Sequence, residues 1–108
     1  MKKKEVIKDE RDFNHIIKNS PFIKNKAFVI YIRKKKEGKP NFGLAISKKT
    51  GNAVCRNKLK RRTRSIIDEV KETFPNERDY IIMIKRNCLE INFQEMRRNL
   101  IELIKEIK

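Results

Sequence analysis

The sequence predicts an α+β fold in which helices pack on a sheet as a two-layer sandwich. Helical patterns and strand patterns alternate along the chain in the order helix, two or three strands, helix, strand, helix. The early strands are separated by a short charged turn, which is typical of a hairpin. The length of 108 residues, of which 38% are hydrophobic, predicts a single domain with a small core.

The first helix is predicted for residues 9–19, with Asp9 as its N-cap. Ser20 and Pro21 follow this segment and end it, because proline cannot continue a helix. The apolar stripe of the helix is short and consists of Phe13, Ile16 and Ile17. We expect this stripe to pack on the sheet.

Three segments before the second helix have the character of strands. Residues 22–25 fit a brief extended segment, and residues 26–33 fit a longer strand with alternating faces. A charged turn at residues 34–41 leads to the strand at 42–47. One face of that strand is large (Phe42, Leu44, Ile46) and the other is small (Gly43, Ala45, Ser47). A small face lets another backbone or a ligand come close.

The second helix is the most informative segment. Residues 48–64 contain eight Lys or Arg residues and no acidic residue. Asn52 is a favourable N-cap, and the pattern continues to about Thr73. One arc of the helical wheel carries Cys55, Leu59, Thr63, Ile66, Ile67, Val70 and Phe74, and the opposite arc carries Arg56, Asn57, Lys60, Arg61 and Arg64. We therefore predict one buried face, which includes Cys55, and one cationic face suited to a phosphate backbone.

Two further elements complete the predicted order. Residues 80–85 form an apolar strand. Asn92 and Glu95 resemble a capping box and open the last helix. The apolar side of that helix carries Phe93, Met96, Leu100, Leu103 or Ile104, and Ile107.

The charge of the chain indicates its class of partner. The formal net charge is +15, which favours a polyanion. The sequence has neither an apolar run of about eighteen residues nor a signal-peptide pattern, so we expect a cytoplasmic protein. Residues 1–8 are expected to form a flexible basic N-terminus of the single domain, 1–108. The two cysteines are too few for a disulfide framework or a four-ligand zinc site.

The residues do not predict an active site on the protein. A metal-dependent nuclease needs clustered carboxylates. Asp9, Glu10 and Asp12 are such a cluster, but they stand at a helix start, where their negative charges interact favourably with the helix dipole. His15 is the only histidine and falls on the exposed side of the first helix. We therefore predict no catalytic residue and no protein-bound metal.

The strand at 42–47 and the basic helix resemble the signature of the bacterial ribonuclease P protein subunit. The resemblance covers most of the chain. The matching strings are Phe42-Gly43-Leu44-Ala45-Ile46-Ser47-Lys48-Lys49, Gly51-Asn52-Ala53-Val54, Arg56-Asn57-Lys58-x-Lys60-Arg61-x-x-Arg64, Phe13, Phe28-Val29-Ile30-Tyr31 and Asp79-Tyr80-Ile81-Ile82. The residue types agree with the family signature at many positions of fixed spacing, so the match is specific.

The resemblance implies a fold and a function. The fold would have the order α-β-β-β-α-β-α with a left-handed βαβ crossover around the basic helix, like the second domain of a ribosomal small-subunit protein. The function would be that of a subunit that binds the catalytic ribonuclease P RNA and helps to remove 5′ leaders from precursor tRNA. Chemistry would then belong to the RNA subunit, which would hold most of the Mg²⁺, and no small-molecule cofactor is implied.

The resemblance also implies two sets of site residues. Those expected to bind the RNA subunit are Lys48, Lys49, Asn52, Arg56, Asn57, Lys58, Lys60, Arg61 and Arg64. Those expected to line a cleft for the single-stranded leader are Phe13, Ile17, Tyr31, Met83 and Lys85. Phe13, Ile17 and Met83 are equally compatible with ordinary core positions. Ile17 stands where the family commonly has an aromatic residue, and Lys58 where it usually has Arg.

Two other functions are compatible with a basic α+β domain. A structural RNA-binding protein of the ribosome could share this fold, and the RNA that co-purifies with the chain would identify it. A basic protein that docks on anionic membranes is a weaker alternative, because the apolar arc of the basic helix is needed for the core.

Overall fold

The computed structural model describes residues 5–7 and 9–107. Two short 3₁₀ turns, at Lys71–Thr73 and Arg86–Leu89, follow the second helix and the last strand. The helices and strands are α1 (Glu10–Asn19), β1 (Phe22–Lys24), β2 (Phe28–Lys34), β3 (Asn41–Ile46), α2 (Ala53–Val70), β4 (Arg78–Ile84) and α3 (Phe93–Ile104). This confirms the α+β class and the order α-β-β-β-α-β-α.

The four strands form one mixed sheet in the order β1-β2-β4-β3. β1 pairs with β2 and β2 with β4 in antiparallel fashion, whereas β3 and β4 are parallel. Because α2 connects these two parallel neighbours, the predicted βαβ crossover around the basic helix is present. Its left-handedness stays a prediction of the resemblance.

The main core lies between one sheet face and the helices α2 and α3. Even-numbered strand residues supply the sheet side, namely Phe28, Ile30, Phe42, Tyr80, Ile82 and Ile84. The helices supply Leu59, Ile66, Ile67, Val70, Met96, Leu100, Leu103 and Ile104. Each fully buried large apolar side chain stabilises the fold by about 1.5–3 kcal/mol relative to exposure. The face of α2 that this packing buries is the one that the wheel predicts.

The opposite sheet face is partly covered by α1. Ile16 of this helix is fully buried, and the ring of Phe13 approaches Gly43 and Ile81, which both face this side. At the far edge of the same face, Phe22 is 53% exposed. The sheet therefore has one closed face and one face that is only partly covered.

Side-chain caps fix the starts of the three helices, as the sequence predicts. Asp9 accepts hydrogen bonds from the backbone of the first turn of α1. Asn52 Oδ1 accepts one from Cys55 N at 2.9 Å, and Asn92 Oδ1 accepts one from Glu95 N at 2.9 Å. α2 itself ends at Val70, and the predicted continuation to Thr73 is a 3₁₀ turn.

One sequence-based expectation needs correction, and another stays a prediction. The helical wheel predicts a buried Cys55, but this residue is half-buried, because it lies in the first turn of α2, near the end of the core. Within the N-terminal segment expected to be flexible, Val6 forms a parallel bridge with Phe42, and Ile7 N donates to Phe42 O at 2.9 Å; the flexibility of the segment stays a prediction. Residues 1–4 and 8 of that segment lie outside the described residues.

The described helices lack the length and apolar character that crossing a bilayer requires.

Candidate nucleic-acid interface

The loop after β3 and the outer side of α2 form one continuous cationic region, here called the basic surface. It arises because α2 buries its apolar arc against the sheet and turns the other arc outward. Its members are the nine predicted residues Lys48, Lys49, Asn52, Arg56, Asn57, Lys58, Lys60, Arg61 and Arg64. Arg56 and Lys60 are half-buried and the other seven are exposed. The ion pairs formed by Arg33, Lys35, Lys71 and Arg97 do not involve these nine side chains.

Arg56 has a structural role that the sequence did not reveal. Its Nη1 donates to the carbonyl oxygens of Lys48 at 3.0 Å and Gly51 at 2.9 Å. Gly51 has φ +66°, a conformation that favours glycine. The guanidinium of Arg56 therefore holds the turn between β3 and α2, and so positions the lysines that the turn carries.

Arg86 joins the basic surface although the sequence analysis did not select it. It follows β4, is exposed, and donates through Nη1 to Lys49 O at 3.0 Å. β3 and β4 are parallel, so the residues that follow them meet at the same edge of the sheet. The Lys85-Arg86 pair at the end of β4 was the signal that could have located this cation.

The five residues predicted to contact the leader lie on or beside the partly covered sheet face, here called the leader face. Phe13 and Ile17 project from α1, and Tyr31, Met83 and Lys85 belong to β2 and the end of β4. All five are half-buried, and the four apolar or aromatic members lie outside the main core cluster. Tyr31 pairs with Ile81 and Val29 with Met83, so Tyr31 and Met83 are diagonal neighbours.

Lys85 is partly engaged by the loop between β1 and β2. Its Nζ donates to Asn25 O at 3.0 Å. Asn25 in turn orders that loop, because its Oδ1 accepts hydrogen bonds from the backbone of Ala27 and Phe28. An ammonium group has three donors, so Lys85 keeps donors for a further acceptor.

A network centred on Arg33 fixes α1 to the sheet. The guanidinium binds Asp12 of α1 through two hydrogen bonds, and its Nη2 also donates to Asp79 Oδ2 at 2.7 Å. Lys35 Nζ donates to the other oxygen of Asp79 at 2.9 Å. The hydrogen bond from Arg33 lowers the pKa of Asp12. Burial raises the pKa of Asp79, but the donors Arg33 and Lys35 outweigh it and lower that pKa overall.

A pocket of about 210 Å³ at the outer edge of β3 joins the two surfaces. Residues from the N-terminal segment, α1, β3 and α2 line it: Val6, Ile7, Phe13, Gly43, Leu44, Lys60 and Arg64. An aromatic ring from the leader face and two cations from the basic surface thus border the same space.

Within residues 5–7 and 9–107, groups of three or more His, Cys, Asp or Glu side chains that could hold a metal ion are absent. Asp9 caps α1, and Asp12 binds Arg33. His15 is exposed, and its Nδ1 lies 3.2 Å from Asn19 Nδ2.

Comparison with known proteins gives one consistent result. The whole chain, residues 1–108, matches the sequence model of the family Ribonuclease P. It is 41% identical over 109 residues to the Ribonuclease P protein component of Mycoplasma capricolum subsp. capricolum, with 100% of both chains covered. The fold is similar to the RNase P protein from Thermotoga maritima, with a TM-score of 0.85, 30% identity, and coverage of 96% of this chain and 98% of that one. A Staphylococcus aureus RNase P protein mutant with defective mRNA degradation activity gives a TM-score of 0.87 at 30% identity, with 95% and 87% covered. The chain therefore belongs to the ribonuclease P protein family.

Proposed function

We propose that this chain binds the RNA subunit of ribonuclease P through its basic surface and the 5′ leader of precursor tRNA through its leader face. In this way it promotes endonucleolytic removal of the leader and gives the mature tRNA 5′ end. One observation carries the proposal: the cations of the basic surface lie together on the loop before α2 and on the outer side of α2, whose other side is buried. Family membership supports ribonuclease P RNA as the partner.

The basic surface suits a folded RNA rather than a small anion. Its exposed cations extend along several turns of α2, which is rigidly held by its buried arc. Each phosphate that such a surface neutralises releases counterions, so affinity rises as salt falls. The arginines add bidentate hydrogen bonds to phosphate, which lysine cannot make.

The leader face suits unpaired nucleotides. Tyr31 is a diagonal neighbour of Met83, which lies two residues before the cation Lys85 at the end of β4, and the ring of Phe13 lies in front of Gly43 on the same face. Base–aromatic stacking contributes about 1–3 kcal/mol per base and needs a base that is free of a duplex. The single-stranded 5′ leader of a precursor tRNA offers such bases beside the cleavage site, and mature tRNA lacks this segment.

Hydrolysis of the phosphodiester bond is assigned to the RNA subunit and to Mg²⁺ that the RNA mainly holds. The protein contributes cations that offset the mutual repulsion of two RNAs, and it orients the leader. On this account it lowers the Mg²⁺ concentration that cleavage needs, acts in the cytoplasm, and requires no small-molecule cofactor.

Reconstitution tests the proposal. The chain is mixed with a bacterial ribonuclease P RNA at low Mg²⁺, together with precursor tRNA labelled in its leader. We expect release of the intact leader at a Mg²⁺ concentration at which the RNA alone is slow. No stimulation by the chain would contradict the proposal, and so would selective co-purification of ribosomal RNA from cells.

A further inference from the structure

Phe22 is an exposed aromatic residue that extends the leader face. It opens β1 and pairs with Tyr31 of β2 in the sheet register. Its ring centroid lies 5.6 Å from that of Tyr31, with an angle of 50° between the ring planes. The two rings therefore form an adjacent aromatic pair on the partly covered side of the sheet.

The fold does not account for a phenylalanine at this position. Among the described residues, the large apolar side chains that are exposed are Phe22 at 53%, Val54 at 76% and Leu89 at 38%, and Phe22 is the only aromatic one. β1 contributes to the core through Ile23, which points to the opposite face. Burying a phenylalanine fully would stabilise the fold, and much of that gain is forgone here.

The surroundings of Phe22 favour a nucleotide over an apolar partner. Lys24 lies two residues along the same strand, so its side chain is on the same face and is exposed. A protein or lipid partner would need a contiguous apolar patch, whereas an aromatic ring beside an exposed lysine suits an unpaired base and its phosphate.

We propose that Phe22 and Tyr31 form a base-stacking subsite for one unpaired nucleotide of the precursor tRNA leader. This inference rests on the proposed function. The sheet order places β2 between β4 and β1, so Met83, Tyr31 and Phe22 follow one another across the strands, with Phe22 at the sheet edge. A leader that lies across Met83 and Tyr31 therefore reaches Phe22 next.

The test measures binding of precursor tRNAs with leaders of increasing length to the holoenzyme. We expect Phe22→Ala to weaken binding about fivefold or more, but only once the leader exceeds a threshold length. Tyr31→Ala should weaken binding of the same long leaders, because the two rings form one subsite. Mature tRNA should bind both variants as it binds the unmodified protein.

Three further variants separate stacking from folding. Phe22→Trp should preserve binding of long leaders, whereas Phe22→Leu, which keeps an apolar side chain, should weaken it as alanine does. Leu89→Ala removes another exposed apolar side chain and should have no leader-dependent effect. Thermal unfolding of all three should resemble that of the unmodified protein.

The possible failures can be told apart. If the unmodified holoenzyme binds long-leader precursor tRNA and mature tRNA equally, this result contradicts both the proposed binding of the leader and the Phe22 subsite. If it prefers the long leader, but Phe22→Ala leaves that preference unchanged or weakens mature tRNA equally, only the Phe22 subsite is overturned.

Discussion

The ring of Phe13 occupies the space in front of Gly43. A β-carbon at position 43 would lie 2.7 Å from Cε2 of Phe13 and 3.3 Å from Cγ1 of Ile81. Carbon atoms pack favourably at about 3.5–4.0 Å, so any larger residue at 43 would push the ring away. The small face predicted for this strand is therefore what lets α1 approach the sheet.

Gly43→Ala should displace Phe13 and shift α1. We expect a decrease of about 1–3 kcal/mol in the free energy of unfolding, because the site is overpacked. Urea denaturation measures this change. Binding of long-leader precursor tRNA should weaken as well, while binding of the RNA subunit is retained.

A double-mutant cycle provides the control. When Phe13→Ala is already present, the Gly43→Ala substitution should cost far less, since the clashing ring is gone. Strictly additive effects of the two substitutions would show that the approach of Phe13 to Gly43 does not determine the position of α1.

The buried carboxylate of Asp79 should make stability depend on pH. Its pKa is lowered in the folded state, so the unfolded chain binds more protons below about pH 4. This contribution to stability is present above that pH and is lost as the pH falls through the lowered pKa. Urea unfolding between pH 3 and pH 7 measures it.

Asp79→Asn is the matched variant. At pH 7 it should be less stable by about 1–3 kcal/mol, because Arg33 and Lys35 lose a charged acceptor. Its stability should decrease less between pH 5 and pH 3 than that of the unmodified protein. An equal decrease in both proteins would assign the acid sensitivity to other groups.

Removing the side chain of Arg56 should change amide exchange, whereas removing that of Arg61 should not. Arg56→Ala removes two hydrogen bonds to the turn before α2, so amide exchange at residues 48–51 should accelerate. Arg61 is exposed, and Arg61→Ala should leave amide exchange unchanged but reduce RNA affinity. Hydrogen exchange with mass spectrometry distinguishes them, and equal exchange in both variants would contradict a structural role of Arg56.

The two cysteines should react at different rates. Cys88 is 1% exposed, its Sγ lies 3.3 Å from Ala27 O, and burial raises its pKa to about 11. Cys55 is half-buried at the start of α2. Iodoacetamide at pH 8 should therefore modify Cys55 first and Cys88 only as fast as the fold opens. Cys55→Ser isolates the slow reaction, and rapid labelling of that variant would disprove the burial of Cys88.

The elements of this fold could be predicted from sequence because their signals are local. Helix caps at Asp9, Asn52 and Asn92 act within three residues, and the apolar arc of α2 repeats with the helical period. The boundaries of most elements shifted by one or two residues, as expected of ends that fray. The strand order depends on long-range pairing, and no local pattern contains it.

The parts of the site that sequence analysis missed are interactions between distant residues. Arg33 binds partners 21 and 46 positions away, and Arg86 donates to a carbonyl 37 positions away. The exposure of Phe22 likewise depends on its place at the sheet edge. A phenylalanine in a short apolar segment is typical of core, so its sequence context could not reveal an exposed ring.

The central claim is that the basic surface on α2 binds ribonuclease P RNA, and the salt dependence of binding tests it most directly. The affinity of the chain for the RNA subunit is measured at several salt concentrations, for the unmodified protein and for Lys60→Ala/Arg61→Ala/Arg64→Ala. We predict that the log–log slope decreases by about 0.7–0.9 for each phosphate that the variant no longer neutralises. A control with three exposed cations removed elsewhere, Lys36, Arg98 and Lys105, should retain the full slope. Equal slopes for the triple variant and the unmodified protein would contradict the claim.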